Sequence, residues 1–288
     1  MRSMLFVPGD SPRKMEKALS SGADALILDL EDSVSQSGKS EARKLTAQFL
    51  ADTAGSADTP ALMVRVNALD TGMTVEDVDA VISAKPQAIV LPKAEGGATV
   101  QELHVAMSVA EARAGIADGT TDIHAIATET ARGIFTLGTY GHCSTRLKGL
   151  AWGAEDLSAD IGAETNRTAD GATEPFRFAR SMLLFGAADA GVAAIDTVHV
   201  NFRNLDDLRA ECVEARRDGF TAKMAIHPAQ VPIINEVFTP SEEDIAFARQ
   251  VVQAFAQDES VGVVAIDGRM YDRPHLRRAE RLLARARP

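Results

Sequence analysis

Eight short apolar runs, recurring along the chain at nearly even intervals, constrain the fold more than any other feature. They are MLFVP (4–8), ALILDL (25–30), LMVRV (62–66), AIVLP (88–92), IHAIATE (123–129), KGLAWG (148–153), VAAIDT (192–197) and KMAIH (223–227). Near-continuous apolar strands are the mark of a parallel sheet covered on both faces. Helical patterns fill the gaps. SPRKMEKALSSG offers Ser11 as cap, Pro12 at the first position and Gly22 beyond the end. TVQELHVAMSVAEARAG (99–115) pairs Thr99 with Glu102 and stops at Gly115, and NLDDLRAECVEARRDG (204–219) has the same grammar. Eight strand–helix units are the arithmetic of a (β/α)8 TIM barrel. The alternative, an open doubly wound sheet, predicts a Gly-rich phosphate turn, and FVPGDSPRK holds one glycine only. The barrel is expected over residues 1–240. Residues 241–288 are read as a C-terminal helix (241–257) and a small lid extension.

With 288 residues, 45% of them hydrophobic, the chain can build such a core. A net charge of −11 speaks against nucleic-acid binding through a basic field. The C-terminal run RPHLRRAERLLARARP is strongly basic, and its plainest reading is a solvated helix face. Cys143 and Cys212 have no metal-like spacing, which suits a reducing, cytoplasmic setting. MRSMLFVPGD lacks a signal-peptide core, and no apolar run approaches the ~20 residues that span a bilayer.

In a barrel, chemistry sits at the C-terminal ends of the strands. Those ends supply Asp29, Glu31 and Asp32 from strand two, and Arg65 and Asn67 from strand three. Strand four adds Lys93, strand five Glu129, strand six Glu155 and Asp156, strand seven Asp196 and strand eight His227. So many carboxylates on one rim repel one another unless a cation sits among them. Oxygen ligands alone suit a hard divalent ion such as Mg²⁺. Glu129 and Asp156, on neighbouring strands, are selected as direct ligands, with Glu31 and Asp32 holding metal-bound waters. The competing reading is that Asp32, Asp156 and Asp196 cap the helices that follow. Lys93 is assigned a charge role near Glu31 or Glu95, and His227, before Pro228, a loop-shaping one.

The segments RSMLFVPGDSPRKMEKA, ALILDLEDSV, RVN, LPKAE, ETARGI, GAEDLSADIG and KMAIHPAQVPIIN closely resemble the citrate lyase β-subunit-like (CitE-like, HpcH/HpaI aldolase) superfamily, in order and over nearly the whole chain. That group includes malyl-CoA, methylmalyl-CoA and citramalyl-CoA lyases. The resemblance implies a Mg²⁺-dependent barrel that breaks or makes a carbon–carbon bond beside a thioester. It implies Glu129 and Asp156 as metal ligands, the pair selected above, and Arg65 as the group that holds the keto-acid oxygen. It also implies substrate contacts from Gly153, Ala154 and Glu155 of GAEDL, and CoA phosphate contacts from Arg13 and Lys17. Glu31, Asp32 and Lys93, taken from the strand-end reading, complete the expected catalytic set. DGRMYDRPHLRRA resembles the lid of the CoA lyases, whose aspartate reaches a neighbouring subunit's site; here it is Asp272, with Tyr271 where isoleucine is usual. Asp272 would then exchange the proton at the acetyl methyl carbon from a dry site with a raised pKa, in a homotrimer or homohexamer. The expected partners are a CoA thioester and a small 2-oxo acid. Three other activities stay open: a citrate lyase β-subunit acting on an acyl-carrier-protein thioester, a thioesterase or malate-synthase-like enzyme, and a non-catalytic binding protein.

Overall fold

A computed structural model describes residues 1–55, 59–168, 171–257 and 262–286. The eight apolar runs become eight parallel staves. The first six are β1 (Ser3–Pro8), β2 (Ala25–Asp29), β3 (Ala61–Arg65), β4 (Ala88–Leu91), β5 (Asp122–Ile126) and β6 (Leu147–Ala151). A short antiparallel hairpin follows, β7 (Arg167–Thr168) with β8 (Gly171–Ala172). The last two staves are β9 (Ala193–Asp196) and β10 (Ala222–Ala225), and β10 closes the barrel on β1.

The helices of this unit are α1 (Pro12–Leu19), α2 (Lys39–Thr53), α3 (Thr74–Val81), α4 (Gly97–Arg113), α5 (Ala131–Phe135), α6 (Ala154–Ile161), α7 (Glu174–Ala190), α8 (Leu205–Asp218) and α9 (Val231–Phe238). α4 begins before the expected Thr99 cap. Gly97, its first residue, packs so closely on the Thr139 carbonyl that no Cβ would fit. Thr99 instead donates from Oγ1 to the Gly96 carbonyl at 2.7 Å.

Alternation along the staves decides which side chains fill the barrel. Met4, Ile27, Met63, Val90, Ile126, Ile195 and Met224 interdigitate inside it. Two residues on from Ile27 and Met63, Asp29 and Arg65 therefore point into the mouth. The same parity sends Asp196 and Lys223 outward, away from the rim to which the sequence reading assigned Asp196.

By compactness the chain divides after Asn235, within α9 and slightly before the boundary read from the sequence. The second unit holds α10 (Glu242–Ala256), the hairpin β11 (Val263–Ile266) with β12 (Arg269–Asp272), and α11 (Arg273–Arg285). Ser241 caps α10 through a reciprocal box with Asp244. Val251, Phe255, Ile266 and Ala279 form its own small core. Arg277, Arg278 and Arg281 of α11 are exposed, as a solvated basic face requires. Among the described residues, no helix is long and apolar enough to cross a membrane.

Candidate active site

Asp29 and Arg65 stand opposite each other in the β2–β3 register. Arg65 donates from Nε to Asp29 Oδ1 at 2.7 Å and from Nη2 to Asp29 Oδ2 at 2.8 Å, a bidentate pair. The guanidinium lies 4.8 Å above the Phe6 ring, which gives it a floor. Asp29 also accepts from the backbone N–H groups of Glu31 and Ser33. Burial would raise its pKa, but Arg65 and these N–H donors hold it below the usual carboxylate range. The turn after β2 is pinned from beneath by Lys39, whose buried ammonium donates to the carbonyls of Leu30 and Glu31 at 2.8 and 2.7 Å.

Glu31 is buried at the same mouth. Its Oε2 lies 2.8 Å from Arg65 Nη1 without forming an aligned hydrogen bond. Its Oε1 accepts from Lys93 Nζ at 2.5 Å. Lys93 also reaches Asp156 Oδ1 at 3.2 Å and Asp32 Oδ2 at 3.9 Å. Glu95, the alternative neighbour named for Lys93, accepts instead from the Thr130 hydroxyl. At φ 48° the Lys93 backbone is left-handed, which costs energy for a residue with a side chain. That conformation lets one residue serve three acids: its N–H donates to Glu129 Oε2 at 2.5 Å while its ammonium turns to Glu31 and Asp156.

Glu129 is 3% exposed. Among the described residues it accepts one hydrogen bond, at Oε2, and none at Oε1. Burial first, then the nearby Asp156 carboxylate, push its pKa up to about 8. Gly153 makes room for it, since a Cβ there would stand 2.5 Å from Glu129 Cγ. Asp156, in the first turn of α6, is partly exposed and faces Lys93. A buried carboxylate with one oxygen left without a donor, beside a second carboxylate, is a donor set that fits a hard divalent cation. Asp32, Arg65, Glu129 and Asp156 line a cavity of about 410 Å³ with Gly153, Ala154 and Glu155. The amides of Gly153 and Ala154 are turned to Thr128 Oγ1 and Thr197 Oγ1, and Glu155 accepts from Asn166.

Other expected residues lie apart from this cluster. Arg13 and Lys17 sit on the exposed face of α1, one helical turn from each other, and neither lines the cavity. Asp196 caps no helix; outside the barrel wall it accepts from Trp152 Nε1 and Lys223 Nζ, both at 2.7 Å. Asn67 binds Asp77, and His227 caps a short turn by accepting from the Ala229 N–H. Asp272, in the second unit, is the N-cap of α11 and lies 2.6 Å from His275 Nδ1. That contact holds it below the usual carboxylate range, contrary to the raised value expected, because within this chain the carboxylate is solvated and hydrogen-bonded. The sequence reading gave no role to Phe6 or Lys39, and left Asp29 as one rim acid among several. The strand parity of Asp29 with Arg65 was a signal that could have paired them.

Residues 2–228 match the model of the HpcH/HpaI aldolase/citrate lyase family, and residues 178–288 match that of a C–C bond lyase of the TIM-barrel fold. The chain is 36% identical over 285 residues to the citrate lyase subunit beta of Leuconostoc mesenteroides subsp. cremoris, covering 98% of this chain and 92% of that one. It is 31% identical over 301 residues to the mitochondrial citramalyl-CoA lyase of Rattus norvegicus, covering 99% and 86%. The crystal structure of CitE from Mycobacterium tuberculosis in complex with magnesium, acetoacetate and coenzyme A superposes with a TM-score of 0.77 at 34% identity, covering 99% and 97%.

Proposed function

Because the chain belongs to the HpcH/HpaI aldolase/citrate lyase family, we propose that it is a Mg²⁺-dependent carbon–carbon lyase that splits a 3-hydroxyacyl-CoA, of the malyl-CoA or citramalyl-CoA kind, into acetyl-CoA and a 2-oxo acid. The observation that carries this reading is the pairing of a half-satisfied buried Glu129 with Asp156, beside a fixed Arg65, in one cavity.

Glu129 and Asp156 are the residues that would hold the cation. Bound there, Mg²⁺ supplies Lewis acidity to the hydroxyl and carboxylate oxygens of the acid portion. Arg65 is pre-oriented because Asp29 occupies two of its five donors in a fixed plane. Its remaining N–H groups can hold the oxygen that gains charge as the bond between the second and third carbons breaks, and a preorganised donor of this kind is worth about 3 kcal/mol. Lys93 holds Glu31 in place and offsets part of the burial that raises the Glu31 pKa, and Asp32, which lines the cavity, is placed to hold water there. In the first turn of α6 the N–H groups of Glu155 and Asp156 offer a helix N-terminus to the substrate carboxylate. Arg13 and Lys17 are suited to CoA phosphates by their spacing on one exposed face. Asp272 would act at the site of a neighbouring copy, in a homotrimer or homohexamer. To protonate the enolate carbon it must part from His275, and a closed lid that excludes water raises its pKa toward that role.

The test is to incubate the purified chain with malyl-CoA and (3S)-citramalyl-CoA, with and without Mg²⁺. Acetyl-CoA is expected only with metal, and no product from either ester contradicts the proposal. Similarity to citrate lyase β-subunits favours a second reading, action on a citryl thioester carried by partner chains. It predicts cleavage of citryl-CoA and none of the other two esters.

A further inference from the structure

A second cavity, of about 480 Å³, lies beside the first, between the β7–β8 hairpin, α7 and α8. The two share Ala154, Glu155, Thr197 and Val198 as wall. Nothing in the proposed reaction uses the groups that line its far side.

His199, from the loop after β9, is 4% exposed there. Its Nδ1 lies 3.1 Å from Glu211 Oε2, and its Nε2 has no hydrogen-bond partner. That orphan nitrogen is 4.0 Å from Asp207 Oδ2. Asp207 and Glu211 stand one turn apart on α8, so both face the loop. Arg167 takes their other oxygens, Oδ1 of Asp207 at 3.0 Å and Oε1 of Glu211, and Lys223 stands 3.3 Å from Glu211 Oε2. The carboxylates are thereby oriented with one oxygen each toward the imidazole.

Nδ1 stands close to Glu211 Oε2 without an aligned hydrogen bond. In the tautomer protonated at Nδ1, the Nε2 lone pair faces Asp207 Oδ2, an arrangement that a cation between the two atoms relieves. Zn–N bonds of 2.0–2.1 Å and Zn–O bonds of 2.0–2.2 Å at a tetrahedral angle hold the two ligand atoms ~3.4 Å apart, so the 4.0 Å gap closes by about half an ångström around the ion. A carboxylate that orients a ligating histidine through its other nitrogen is the arrangement that tunes zinc sites. From this geometry we propose that His199 Nε2 and Asp207 Oδ2 bind a second divalent ion, of the zinc class, with Glu211 positioning the imidazole and water completing the shell. A nitrogen ligand distinguishes this site from the all-oxygen one. Burial and the adjacent Lys223 hold the His199 pKa below its ordinary value, which keeps the imidazole neutral for ligation. Such an ion would tie the loop after β9 to α8, and with it Thr197 and Val198 of the shared wall.

The experiment is calorimetric titration of the full chain with Zn²⁺ in excess Mg²⁺. One Zn²⁺ per chain is expected, weakened at least ~10-fold in Glu211→Gln and lost in His199→Gln and Asp207→Asn. The event must survive in Glu129→Ala, which separates it from the catalytic cation. No event, an event unchanged in His199→Gln, or one lost in Glu129→Ala overturns the proposal. Because His199→Gln could fail to fold, wild-type crystals soaked in Zn²⁺ supply an independent check. An anomalous peak between His199 and Asp207 supports the site, and its absence there overturns it.

Discussion

Two buried glutamates at opposite ends of the barrel meet different fates. Glu111, at the end of α4, is fully buried and accepts four hydrogen bonds: two from Arg146, one from the Gly119 N–H and one from the Thr121 N–H. Those donors outweigh burial and hold its pKa below the usual range. Glu129, at the mouth, is nearly as buried, accepts one, and is pushed up to about 8. The protein can satisfy a buried carboxylate completely, and at the N-terminal face it does so for stability. At the C-terminal face it leaves one half-satisfied, which is where the proposed cation would complete the set.

The same substitution at both positions should therefore give opposite results. Glu111→Gln removes the buried partner of Arg146, leaving only the exposed Asp118 carboxylate beside it, and should cost about 3–5 kcal/mol in urea unfolding, with Mg²⁺ affinity unchanged. Glu129→Gln should lower turnover by about 10³-fold, about 4 kcal/mol, while the metal-free fold at pH 8 is as stable as wild type or more so. Equal destabilisation by both would erase the contrast. Arg65→Lys keeps the charge but loses the bidentate fork to Asp29, and a fall of about 10²-fold in kcat/KM is expected.

The pH dependence sharpens the contrast further. Glu111 has a depressed pKa, so its contribution is present above the unfolded value and lost as pH falls below it. Glu129 has a raised one, so in metal-free protein its contribution is present below the unfolded value and lost as pH rises toward about 8. Mg²⁺ binding near neutral pH should then release a proton, and affinity should climb up to ~10-fold per pH unit below about 8. Calorimetry in buffers of different ionisation enthalpy counts that proton; none released would deny Glu129 its role.

The smallest effect is expected at Gly153. Gly153→Ala drives a methyl group toward Glu129 Cγ, and overpacking of this kind costs about 1–3 kcal/mol. Mg²⁺ affinity should fall while the fold survives, and an unchanged affinity would mean that Glu129 does not need that space.

Much of this was readable in advance. Eight apolar runs carried the barrel, because a strand buried on both faces needs continuous apolar sequence. The rule that chemistry gathers at strand ends selected Glu129, Asp156, Arg65 and Lys93, which the fold brings to one mouth. It failed at Asp196, where the pleat turns the side chain outward and proximity to an end means nothing without parity. It also gave no hint of Lys93's left-handed backbone, or of Lys39 beneath the β2 turn, since both depend on contacts between distant segments. Asp272 was selected by resemblance alone, and within one chain its surroundings are those of a helix cap.

The central claim, a divalent cation held by Glu129 and Asp156, is tested most directly by anomalous diffraction from crystals grown with Mn²⁺ in place of Mg²⁺. The account predicts one strong peak bridged by the two carboxylates, with Glu129 Oε1 among its ligands. Glu129 and Asp156 turned apart, with no peak between them, would contradict it.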